Sequence, residues 1–179
     1  MRMEIERRFL VDGRSDKPWR GDKFDQIVQF YLHDVKVIDG QVIWNGEELL
    51  SSDVDLSQIT TWRVRDYGGK YLITAKGKRV GASAIEYEWD IDEETWNSLD
   101  LSGLPFVMKT RYYWRGLDNL LWEIDEFEGI LGGLIIAEVE LENEDQEIII
   151  PDWTNIELTH LPGWSNASLS KMITHSKQS

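Results

Sequence analysis

The stretch MEIERRFLV, Met3 to Val11, alternates along an extended chain, so that Glu4, Glu6 and Arg8 fall on one side. A single row of this kind is the wet face of a half-buried strand. Here the row recurs. Arg63 and Arg65 flank Val64, and Lys76 follows Thr74 at the same spacing. Glu86 and Glu88 flank Tyr87, Lys109 and Arg111 flank Thr110, Glu123 and Asp125 flank Ile124, and Glu138, Glu140 and Glu142 alternate with Val139 and Leu141. A period of two repeated this often demands strands, each with a charged face and a mainly apolar one.

Two arrangements satisfy that demand. One is an antiparallel sheet with its charged face in water. The other is a closed barrel whose charged rows point inward and line a polar lumen. Two features favour the barrel. Several strands carry nothing neutral at their central pair, and the signs are segregated by strand. Unpaired buried charge is costly, so a lumen of both signs needs compensation. A polyphosphate against the basic rows, bridged to the acidic rows by divalent cations, would supply it.

Turn signals divide the chain into about eight strands, a mainly β (α+β) pattern that fits one antiparallel sheet or barrel. MEIERRFLV and DQIVQFYL (Asp25 to Leu32) come first. VKVIDGQVIWNGEELL reads as a hairpin with a type I′ signal at Asp39-Gly40 and a second turn at Asn45-Gly46. The polar run from Ser51 to Gln58 reads as a loop. A hairpin about Gly68-Gly69, then AIEYEWDID, FVMKTRYYW, LLWEIDEFEG and LIIAEVELE, complete the strands. Asp92 caps a short helix through Leu99, and Ser165-Asn166 opens a helix to about Thr174.

The 179 residues suit one domain, and no run of ~18 apolar residues suggests a membrane span. The N-terminus shows no secretory signal and cysteine is absent, so a cytoplasmic protein is the simplest expectation. A net charge of -14 opposes binding to nucleic acid or anionic membranes but leaves room for a small polyanion in a local basic site. The nine tryptophans read as packing residues. Nothing here sets the oligomeric state.

Taken in order, Glu4-x-Glu6-x-Arg8, Gln29-Phe30-Tyr31-Leu32, Arg63-x-Arg65, Thr74-x-Lys76, Glu86-Tyr87-Glu88, Lys109-x-Arg111, Glu123-x-Asp125-x-Phe127-x-Gly129 and Glu138-x-Glu140 resemble the CYTH superfamily, the triphosphate tunnel metalloenzymes. The resemblance runs from about Met3 to Met172. It implies an eight-stranded antiparallel β-barrel forming a tunnel with helices packed outside. A hairpin insertion at about 34–60 would lie within this single domain. The activities it implies act on triphosphates with Mg2+ or Mn2+: inorganic triphosphatase, thiamine triphosphatase, RNA 5′-triphosphatase and class IV adenylyl cyclase.

The resemblance also implies roles. Glu4, Glu6, Glu138 and Glu140 would hold divalent cations, one clamping the triphosphate and one activating water. Arg8, Arg63, Arg65, Lys76, Lys109 and Arg111 would bind phosphate oxygens. Glu86, Glu88, Glu123 and Asp125 would support the metals or orient the bases. Lys78 would sit near the mouth, and Lys171 would plug one end or stay an exposed helix lysine. Tyr31 and Arg8 occupy the positions of a suggested proton-transfer pair, but the family's usual lysine is here Arg8, which stays protonated. Ala84 replaces a frequent basic residue, removing one phosphate contact. Inorganic triphosphate hydrolysis is the leading expectation. Another triphosphate substrate, or a triphosphate-binding module with weak turnover, is the alternative.

Overall fold

A computed structural model describes the backbone of residues 2–178 and the side chains of residues 2–174. The charged alternations fold as strands β1 (Met3–Val11), β2 (Phe24–Leu32), β6 (Ile59–Tyr67), β7 (Lys70–Gly77), β8 (Ser83–Asp90), β9 (Phe106–Arg115), β10 (Leu121–Phe127) and β11 (Ile135–Glu140). They run in the spatial order β11-β10-β9-β2-β6-β7-β8-β1, and β1 pairs back onto β11. All pairings are antiparallel, and the closing register sets Glu6 opposite Glu140 and Arg8 opposite Glu138. The result is the closed eight-stranded barrel expected from the alternation.

Closure turns the usual pattern inside out. Val64, Ile73, Trp122, Ile124 and Val139 point outward and are fully or almost fully buried, because other parts of the chain cover the wall. One outer cluster joins Trp62, Val64, Ile73 and Ala75 to Val42, Trp44 and Leu49. The last three belong to a small three-stranded sheet, β3 (Lys36–Ile38), β4 (Gln41–Trp44) and β5 (Glu47–Ser51). Asp39-Gly40 and Asn45-Gly46 make its turns, with φ of 49° and 80° and of 50° and 81°, the left-handed pairs that a type I′ hairpin requires. The segment expected as an insertion at about 34–60 therefore holds a sheet, over 36–51, laid against the barrel exterior, and its last two residues already belong to β6. Helix α1 (Glu93–Ser98) adds Trp96 to this side, stacked 4.8 Å from Tyr71, and Asp92 caps it by accepting from the Thr95 N–H.

A second outer cluster gathers Phe9, Trp19, Trp122 and Ile124, with Trp153 packed on it. The Trp153 ring centroid lies 4.9 Å from Trp19 and 5.3 Å from Trp114. Four of the nine tryptophans thus seal this wall, the packing role expected of them. Strand β12 (Thr154–Glu157) extends the sheet beside β1, pairing with Phe9 and Val11. Its four residues carry no clear alternation, and the sequence reading missed it.

The charged rows do not run the whole length of the barrel. Leu10, Val107, Phe127 and Ile136 share the inward parity of their strands but form an apolar plug at one end, with Leu158, Leu169 and Ile173. Leu169 and Ile173 come from α2 (Asn166–Gln178). This helix covers part of the barrel end, whereas α1 alone lies on the outer wall. Ser165 opens α2, its Oγ accepting from the Ser168 N–H at 3.1 Å. No helix among the described residues is long and apolar enough to cross a membrane.

Candidate active site

Inside the barrel the charges separate by half. Strands β9, β6 and β7 carry Lys109, Arg111, Arg63, Arg65 and Lys76, with the neutral Gln29 and Tyr31 of β2 between β9 and β6. Strands β8, β1, β11 and β10 carry Glu86, Glu88, Glu4, Glu6, Glu138, Glu140, Glu123 and Asp125. A basic wall therefore faces an acidic wall. Arg8 is an inward base that stands on the acidic side, and Arg2 joins that side at the rim. The lumen between them is a cavity of about 550 Å³. It meets a chamber of about 300 Å³ bounded by Tyr31, Arg8, Arg63, Lys76, Lys78, Arg79, Ala84 and the start of α2 at Ser165 and Asn166.

The walls are laced together by ion pairs. Asp125 accepts from Lys109 Nζ at 2.6 Å and from Arg111 Nε and Nη2 at 2.7 and 2.8 Å. Burial resists charge on Asp125, yet Arg111 and Lys109 hold its carboxyl well below the usual range. Asn166 Oδ1 accepts a further bond from Lys109 at 3.1 Å, which ties α2 to the lumen. Glu123 pairs with Arg111, and Glu88 with Arg65 and Thr74. Lys76 Nζ lies 2.6 Å from Glu4 and 3.1 Å from Glu86. These contacts fix the bases in place, so Glu86, Glu88, Glu123 and Asp125 all touch a base of the opposite wall.

Arg8 is buried beside two carboxylates, with Nη2 3.0 Å from Glu6 and Nε 3.3 Å from Glu138, and it donates to the Trp164 carbonyl at 3.2 Å. Tyr31 accepts from Gln29 Nε2 at 2.9 Å and faces the smaller chamber beside Arg63. Glu140 stands at the rim, its side chain 61 % exposed and 3.7 Å from Arg2. Lys171 is exposed and lines a depression with His33, Trp62 and Tyr31, next to the smaller chamber and outside its lining.

One side chain that reaches the acidic wall escaped the alternation. Arg79 follows the end of β7 and donates to Glu6 Oε1 and to the Glu6 carbonyl, each at 2.7 Å. Strand parity cannot find a residue that reaches the lumen from a turn. A larger outer groove of about 780 Å³ carries Arg14, Lys17 and Arg20. Arg14 and Arg20 are already paired with Asp12 and Glu126, and the groove lacks facing charged walls.

The acidic wall fits divalent cations. Among the described residues no three His, Asp or Glu side chains form a ready-made metal cage. The wall nevertheless sets like charges directly opposite each other, Glu6 against Glu140 and Glu123 against Glu138, which is unfavourable without a cation between them. Burial, joined by the charge of Glu6, raises the affinity of Glu138 for a proton. Buried Glu4 Oε2 and Glu86 Oε2 have no hydrogen bond of good geometry, although Lys76 is near both. An oxygen-only set of few carboxylates, completed by phosphate oxygens, suits Mg2+ or a similar ion.

No family model matches the chain. It is 30% identical over 173 residues to an inorganic triphosphatase of Acetivibrio thermocellus, covering 96% of this chain and 95% of the relative. It is 36% identical over 176 residues to an inorganic triphosphatase of Nitrosomonas europaea, covering 95% of this chain and 98% of the relative. A crystal structure of an inorganic triphosphatase superposes with a TM-score of 0.58 at 31% identity, covering 95% of each chain. Full-length likeness at this identity, joined to a closed barrel with one basic and one acidic inner wall, makes this chain a member of the CYTH superfamily of triphosphate tunnel metalloenzymes.

Proposed function

We propose that the protein hydrolyses inorganic triphosphate to pyrophosphate and phosphate, using Mg2+ or Mn2+. The observation that carries this reading is the split lumen. With Arg2, Lys70 and Asp90 counted, and Asp125 lying behind the surface, the lumen is lined by eight acids and eight bases, so a bound triphosphate adds negative charge that the chain alone does not neutralise. Metal cations on the acidic wall would complete the balance. The two relatives named as inorganic triphosphatases support the same substrate.

Arg63, Arg65, Lys76, Lys109 and Arg111 would take the phosphate oxygens, the arginines as planar forks and the lysines as point charges. Glu88, Glu123 and Asp125 hold three of these bases in position before substrate arrives, a preorganisation that lowers the cost of binding. Glu4, Glu6, Glu138 and Glu140 would hold the cations. When bound, such ions neutralise developing charge on phosphate oxygens and acidify a coordinated water.

The reaction itself forms one bond from water oxygen to a terminal phosphorus and breaks the bridging P–O bond. Pyrophosphate departs with the bond's electrons, and the proton of the water passes to solvent. Arg8 cannot accept that proton, since guanidinium stays charged. Its place beside Glu6 and Glu138 makes it a clamp for the carboxylates and for phosphate. Tyr31 accepts from Gln29, which leaves its own O–H to direct at the water or the terminal phosphate.

The test is phosphate release from tripolyphosphate by purified protein with each metal, beside ATP, GTP and thiamine triphosphate. Tripolyphosphate is expected to give the highest kcat/KM, and Glu4→Ala or Glu138→Ala to abolish release. Activity surviving both substitutions would sink the reading. Higher kcat/KM with a nucleotide, or tight binding without turnover, would move it to another triphosphate or to a binding module.

A further inference from the structure

On strand β8 the inward positions are 84, 86, 88 and 90, and three of them are acids. Ala84 is the uncharged member; it is 4 % exposed and pairs across the ladder with Glu4, beside the smaller chamber. Arg79 lines the same chamber from the turn that joins β7 to β8. The small side chain at 84 leaves space beside Glu4 and Glu6 for a guanidinium arriving from the turn.

Arg79 and Arg8 both bind Glu6 Oε1, at 2.7 and 3.0 Å. Two guanidiniums on one carboxylate oxygen suit a lumen without metal. A divalent cation on Glu6 would repel both. Arg8 is the less able to leave, because it sits within a strand and also reaches Glu138 and the Trp164 carbonyl. Arg79 sits on a turn with Val80 exposed beside it, and apart from the Glu6 carboxylate its head group bonds only main-chain carbonyls, those of Glu6 and Gly81, at 2.7 and 3.1 Å. Its side chain is 27 % exposed, so the head group has room to move.

We propose that Arg79 is the phosphate-binding cation that β8 lacks: it holds Glu6 while the lumen is empty and turns to a phosphate oxygen of triphosphate when a divalent cation takes Glu6. This rests on the triphosphatase reading above. It makes Arg79 a link between metal loading and substrate binding, because the same side chain competes with one and assists the other.

The proposal demands opposite effects from one substitution. In Arg79→Ala and Arg79→Gln, Mn2+ titrated without substrate should bind severalfold more tightly. KM for tripolyphosphate should rise about tenfold, as for loss of a hydrogen bond to a charged group, with kcat changed far less. Adding Ala84→Arg to Arg79→Ala should restore KM. Looser Mn2+ binding together with a higher KM would mean that Arg79 only holds the fold, and would overturn the proposal, as would an unchanged KM. Calorimetric binding of tripolyphosphate with metal, run on the same variants, decides the role of Arg79 even if wild-type protein does not turn this substrate over.

Discussion

Glu138 on β11 and Glu6 on β1 stand diagonally across the ladder that closes the barrel, and both carboxylates contact Arg8, at 3.3 and 3.0 Å. Burial disfavours charge on both. For Glu6 the nearby Lys76 and Arg8 outweigh burial and bring its pKa to about 2. For Glu138 burial dominates, and the charge of Glu6 pushes in the same direction, so its pKa is raised. The charged form is thus favoured on Glu6, and Glu138 is shifted toward its protonated form.

That division fixes the pH dependence of stability without metal. Glu138, Glu123 and Glu140 all have raised pKa values, with burial the largest cause in each. Just above their ordinary pKa of 4.5 the native protein therefore binds more protons than the unfolded chain, and stability should rise as pH falls from about 7 toward 5. Glu6 acts in the opposite sense. Its stabilisation is complete above 4.5 and is lost as pH falls through about 2. Urea melts in chelator should thus show a maximum on the acid side of neutrality, and added Mg2+ should raise Tm more at pH ~7 than at ~5 because protons and metal compete. A flat or falling profile between ~7 and ~5 would reject this account of the acidic wall.

Lys109 should impose a second, alkaline limit. Burial, reinforced by Arg111 and opposed by Asp125, lowers its ammonium pKa to about 8 in the empty lumen. Above that value the basic wall loses one charge, so kcat/KM for tripolyphosphate should decline with a limb near 8. Lys109→Arg keeps the charge and should remove the limb even where it lowers the rate. A limb that persists unchanged in that variant belongs to another group.

How much of this was legible differs by element. That Glu4 and Glu6, or Arg63 and Arg65, share one face followed from period-two alternation, and the recurrence of such rows, segregated by sign, turned that face inward. The separation into two walls did not follow. It needs the spatial order of β9, β2, β6 and β7, which comes from pairings made over long sequence separations. The plug of Leu10, Val107, Phe127 and Ile136 continues the charged rows in apolar residues, and only α2 docked on that end explains the change. Arg79 was hidden for another reason: side chains on turns obey no period, and its target is 73 residues away in sequence.

The Arg8 substitution separates a phosphate ligand from a damper of catalysis. Its three contacts require the width of a guanidinium, because Glu6, Glu138 and the Trp164 carbonyl lie in different directions. An ammonium on a shorter stem cannot serve all three. Arg8→Lys should therefore cost roughly 1–3 kcal/mol in urea melts and leave turnover unchanged or lower. A large gain in kcat would instead show that the natural arginine restrains proton transfer, with lysine taking the proton that otherwise passes to solvent.

The sheet at 36–51 should prove a cover for the barrel wall, and not a part of the tunnel entrance. Trp44 is 2 % exposed, donates its Nε1–H to the His33 carbonyl at 3.0 Å, and packs in the cluster that holds Trp62 and Val64. Those barrel residues point away from the lumen, and no residue of β3, β4 or β5 lines either chamber. Removing the indole leaves a cavity in an apolar cluster and one unmatched carbonyl. Trp44→Ala should thus cost about 3–5 kcal/mol by urea unfolding. KM for tripolyphosphate, measured where the variant stays folded, should remain within about twofold, since remote packing changes seldom alter uniform binding. A rise in KM as large as that expected for Arg79→Ala would place the insertion at the entrance after all, because loss of packing on an outer wall does not by itself weaken contacts to phosphate.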